Sequence, residues 1–118
     1  MKEYELVSKL IYDVLASKIT VSEALAKFPK NNKDINIKCA FDALVYMEAD
    51  EEYRAKIKGY AQVQDEYLAQ IADILAKGEN LPRNVIERYM KYNKDNLISG
   101  KEKNFKGFIN YIKRMINF

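Results

Sequence analysis

Tyr53, Tyr60, Tyr67 and Ile74 stand seven residues apart within DEEYRAKIKGYAQVQDEYLAQIADILAK, residues 50–77. No other feature restricts the fold as much. Ile57, Ala61, Gln64, Leu68, Ile71 and Leu75 fill the three- and four-residue steps between them. On an α-helix these positions share one face, which leaves Arg54, Lys56, Lys58, Asp65 and Asp73 to water. A continuous helix over about residues 51–77 would be roughly 40 Å long at about 1.5 Å per residue. Neighbouring helices then have one long stripe on which to bury their own apolar faces.

Such helices are legible on both sides. Residues 3–17 carry Val7, Leu10, Ile11, Val14 and Leu15 at helical spacing. Thr20 with Glu23 forms a capping box ahead of Val21, Ala24, Leu25 and Phe28, and Pro29 ends that short helix near Lys27. After the polar connector 30–33, Asp34 is the expected N-cap of a third helix, with Ile37, Ala40, Phe41, Leu44, Val45 and Glu48 facing inward. A break is expected at Ala49–Asp50, because Asp50, Glu51 and Glu52 suit the positive first turn of a new helix. The seven-residue step nevertheless runs back from Tyr53 through Tyr46 to Cys39.

Gly78 marks the stop of the long helix, and Pro82 opens a fifth with Val85, Ile86, Tyr89 and Met90. Asp95–Asn96 reads as a loop. Ser99 with Glu102 then caps a sixth helix carrying Phe105, Phe108, Ile109, Ile112, Met115 and Ile116. No segment alternates as a strand, so the expected fold is an all-α, single-domain bundle (residues 1–118) of about five to six helices around the long central one.

Composition narrows the function classes. The 118 residues contain no His, which removes the commonest general base and metal ligand. Each of the four glycines stands alone, so there is no phosphate-cradling loop. The single Cys39 forms no internal disulfide, lies beside Lys38 and one turn from Asp42, and is expected as a small buried residue in a cytoplasmic protein. Charge interrupts the N-terminus every few residues, and no window approaches the ~18 apolar residues of a membrane span, so no signal peptide and no membrane are expected. No catalytic residue, metal ligand or cofactor is assigned.

The net charge of +3 hides a segregation: residues 34–82 hold five basic and ten acidic side chains, whereas residues 83–118 hold nine basic and three acidic. Opposite halves can attract each other within one bundle or between protomers.

Three functional readings compete. The leading one is a non-enzymatic protein that acts through a protein partner or itself, as a homodimer, with Tyr53, Tyr60 and Tyr67 as the interface if they are not packed inside. The alternative is nucleic-acid binding by the basic C-terminal region, with Lys101, Lys103, Lys106, Lys113 and Arg114 as contacts and Arg83, Arg88, Lys91 and Lys94 in the same set. A helix-turn-helix would instead present Asn36, Lys38, Cys39, Asp42 and Tyr46, a poor set for phosphates. The weakest is a Mg²⁺-dependent nucleotide hydrolase of the all-helical type. Glu48-x-x-Glu51 supplies half a ligand set, but Gln70-x-x-Asp73 lacks the first carboxylate of the other half.

Overall fold

A computed structural model describes residues 2–30 and 33–98. Among them are six helices and no strand: α1 (Lys2–Leu15), α2 (Val21–Ala26), α3 (Ile35–Ala49), α4 (Glu51–Lys56), α5 (Tyr60–Ala76) and α6 (Arg83–Ile98). The all-α bundle expected from the sequence is the architecture formed. No helix among the described residues is long and apolar enough to cross a membrane.

The apolar stripes meet where their spacing directs them. α1 lies along α5 in the most extensive helix pairing, and α3 touches all five other helices. Val7, Ile11, Leu44, Leu68, Ile71 and Leu75 form the centre of the core, each essentially without exposed surface. Burying a side chain of this size contributes about 1.5–3 kcal/mol. One polar tie crosses the α1–α5 seam: the Ser8 hydroxyl donates to the Ala72 carbonyl at 2.8 Å.

Helix ends follow the local chemistry. The Thr20 hydroxyl accepts from the Glu23 amide and the Glu23 carboxylate accepts from the Thr20 amide, so the capping box is complete. Asp34 caps α3 by accepting from the Asn36 amide at 2.8 Å. Gly78 is left-handed at φ 72°, and the Glu79 and Gly78 amides donate back to the Ile74 and Leu75 carbonyls, closing α5 as a Schellman motif. Pro82 stands just before α6, its carbonyl accepting from Val85 and Ile86. α1 stops at Leu15, two residues short of the expected end, because Ser17 adopts a left-handed φ of 60° and the chain turns there.

Three further expectations change. The central helix is not continuous over residues 51–77. The break at Asp50 is present, but Ile57 then turns extended and Gly59 left-handed (φ 83°), so α4 and α5 are separate helices. A lone Gly between two well-patterned runs is enough, since it takes that conformation with little strain.

The inward face of α3 is also rotated from the one expected. Asn36, Cys39, Ala43 and Tyr46 are buried with Ile37, Ala40 and Leu44, whereas Phe41, Val45 and Glu48 lie outside. Apolar residues surround this helix, so periodicity alone does not orient it. Packing selects the side where Cys39, Ala40 and Ala43 allow neighbours close. Finally, α6 runs through Asp95–Asn96, whose cost in a helix interior is below about 0.7 kcal/mol each. The sixth helix expected from Ser99 onward lies outside the described residues.

Candidate functional site

Among the described residues, three buried polar clusters and an exposed ridge gather groups capable of chemistry or recognition. One cluster lies around the buried Asn36, whose amide donates to the Tyr4 hydroxyl at 2.9 Å and to Asn80 Oδ1 at 3.1 Å and whose Oδ1 accepts from the Leu81 amide at 2.8 Å. The other two lie around Asp50 and Arg88. The Asp50 cluster fastens the corner where α3, α4 and α5 meet. The Asp50 carboxylate is fully buried. Its Oδ2 accepts from the Tyr60 hydroxyl and, at 3.3 Å, from the Gln64 amide. Its Oδ1 is buried with no hydrogen-bond donor among the described residues. Arg54 donates to Gln64 Oε1 at 2.8 Å and sits 2.9 Å from Asp65. Burial pushes the Asp50 carboxyl above the usual carboxylate range, against hydrogen bonds from Tyr60 and Gln64 and the nearby Arg54 charge. Burial and the hydrogen bond to Asp50 raise the Tyr60 phenol as well. With no exposed surface, Asp50 meets no substrate in this state. Its role is to hold the short α4, which has no buried residue of its own, against the body.

The Arg88 cluster joins α3, α5 and α6 around that side chain, only 2% exposed. Its Nε donates to the Tyr67 hydroxyl at 2.8 Å, its Nη2 lies 3.5 Å from Asp42 Oδ2, and its Cζ is 5.3 Å from the Tyr67 ring centroid. Cys39 is enclosed nearby, and burial pushes its thiol up to about 12, with opposing contributions from Arg88 and Asp42. A thiol in that state is a packing group and a poor nucleophile.

The sequence-derived candidates are distributed as follows. Tyr60 and Tyr67 are buried at 1% and 0% exposure, so a partner reaches neither without opening the fold. Tyr53 is half-buried and meets Tyr60 edge-on, centroids 6.4 Å apart. Of the basic set, Arg88 is committed to the interior, Arg83 and Lys91 are exposed, and Lys101, Lys103, Lys106, Lys113 and Arg114 lie outside the described residues. Of the helix-turn-helix set, Asn36, Cys39 and Tyr46 are buried, Asp42 is half-buried and Lys38 is exposed. Glu48 and Glu51 line one shallow groove with Val21, Met47 and Arg54, and Glu48 accepts from the Ser22 hydroxyl at 2.7 Å. Among the described residues, no group of three or more acidic, Cys or His side chains is placed to hold a metal ion.

The exposed ridge is on α3. Phe41 and Val45 are 41% and 38% exposed, on the side of α3 that its five helical neighbours among the described residues leave open. Lys38 precedes them and Glu48 follows them on the same side, both exposed. The Phe41 ring is held edge-on by the buried Phe28, centroids 5.4 Å apart. Periodicity alone assigns Phe41 and Val45 to the core. The signal that could have turned them outward is the seven-residue step from Tyr53 through Tyr46 to Cys39, which continues the buried stripe of α5 on the opposite side of α3.

In comparisons with known proteins, no family model matches the chain, and neither a curated protein nor a solved structure shows significant similarity to it.

Proposed function

We propose that this helical protein works through contacts with protein, without catalysis of its own, and that the outer ridge of α3 is the face that makes them. The observation that carries this reading is the exposure of Phe41 and Val45, one turn apart on the helix around which the bundle is built. Leu6, Tyr12 and Met90 are also exposed, but single apolar residues on a surface are ordinary. Phe41 and Val45 differ because they are adjacent, sit on the most constrained helix, and are flanked by charge. A rigid apolar pair with a charged rim has the layout of an interface core. The buried polar clusters around Asp50 and Arg88 support the reading by accounting for Asp50, Arg88 and Cys39 as packing and fastening groups.

Light scattering on the wild-type chain and on the Phe41→Glu/Val45→Glu variant tests it, at low and at high salt. The wild type is expected to associate and the variant not to. Association unchanged in the variant would show that the ridge is not the contact face.

A further inference from the structure

The outer ridge of α3 reads the same from both ends. Lys38, Phe41, Val45 and Glu48 follow one another at three-, four- and three-residue steps along one side of the helix. Consider two copies of α3 packed antiparallel about a two-fold axis level with Ala43. Phe41 then falls opposite the second copy's Val45, and Lys38 opposite the second copy's Glu48, each pair occurring twice.

We infer that the occupant of this ridge is a second copy of the same chain, docked α3 against α3 in that register. The inference rests on the protein-contact reading above and specifies its partner. A two-fold interface demands a patch complementary to itself, and a ridge with one cation and one anion placed symmetrically about an apolar pair satisfies that demand. Like charges at both ends would oppose it. Both anchors are also ordered in advance. Phe28 fixes the Phe41 ring, and the Ser22 hydroxyl holds the Glu48 carboxylate while leaving it lone pairs for a lysine. Ordering before contact lowers the entropy lost on docking. The contact is one helix wide and falls in the size class of transient interfaces, so the dimer forms with concentration rather than permanently.

Charge reversal tests the register through mixing. Lys38→Glu alone places glutamate opposite glutamate at both ends, and Glu48→Lys alone places lysine opposite lysine. Each variant is expected to dimerise about tenfold more weakly than wild type at low salt, two exposed pairs at roughly 0.7 kcal/mol each. An equimolar mixture of the two restores both opposite-charge pairs and is expected to recover wild-type dimerisation in sedimentation equilibrium, as is the single chain carrying both changes. A wild type that stays monomeric from micromolar to millimolar concentration overturns the inference. So does a mixture no tighter than its components. If the mixture fails while Phe41→Glu/Val45→Glu still abolishes association, the self-docking register is lost and the protein-contact reading survives. If that ridge variant associates like wild type, both are lost.

Discussion

Asp50 sits where α3 ends, with a tyrosine hydroxyl and a glutamine amide as donors and one oxygen without a partner among the described residues. Burial raises its carboxyl pKa, so the folded chain holds that proton more tightly than the unfolded chain does. The stabilisation is therefore fully present below the unfolded value of about 3.9 and is lost as pH rises through the raised folded value. Asp50→Asn keeps the oxygen that Tyr60 and Gln64 donate to and removes the charge. Urea unfolding across mildly acidic to neutral pH should show the wild type losing stability relative to Asp50→Asn as pH rises. A difference that does not change with pH would show that the Asp50 carboxyl titrates alike in the folded and the unfolded chain. Arg88 is buried as well, with Asp42 and the Tyr67 hydroxyl within reach, as a buried cation requires.

At the level of helices, the corner between α4 and α5 depends on Gly59. A Cβ added there meets no atom within 4 Å, so the cost of a side chain is the left-handed backbone alone. Gly59→Ala should lower stability by about 1 kcal/mol, read as a shift in the urea midpoint with unchanged slope. No shift would mean that residue 59 is not left-handed in solution.

The same corner shows what the sequence makes legible. Caps with a chemical mechanism stand where the residues place them: Thr20 with Glu23, Asp34, and Gly78. Gly59 interrupts a seven-residue repeat that continues in phase on both sides, so periodicity runs through a turn it cannot detect. Ser17 closes α1 in a conformation that its residue type does not advertise. The direction of α3 is set by five neighbours, and a helix with apolar residues on all sides gives a one-dimensional pattern no preferred face. The candidate site was hidden for that reason: Phe41 and Val45 look like core until the packing of Cys39, Ala43 and Tyr46 turns them outward.

At the scale of the molecule, Ser8, Asn36, Asp50, Gln64 and Arg88, the buried polar residues among those described, each tie one element to another, and the apolar pair lies outside. Among the described residues α3 packs against five other helices, and its exposed side carries an apolar pair between a lysine and a glutamate. The central claim is that this side is a contact face, completed by a second copy. Amide NMR shifts of the wild-type chain, followed on dilution from millimolar to micromolar concentration, test it most directly because they locate the contact as well as detect it. The account predicts concentration-dependent shifts centred on Lys38, Phe41, Val45 and Glu48. Spectra that do not change on dilution, or changes centred on Leu6 and Tyr12 of α1 instead, would contradict it.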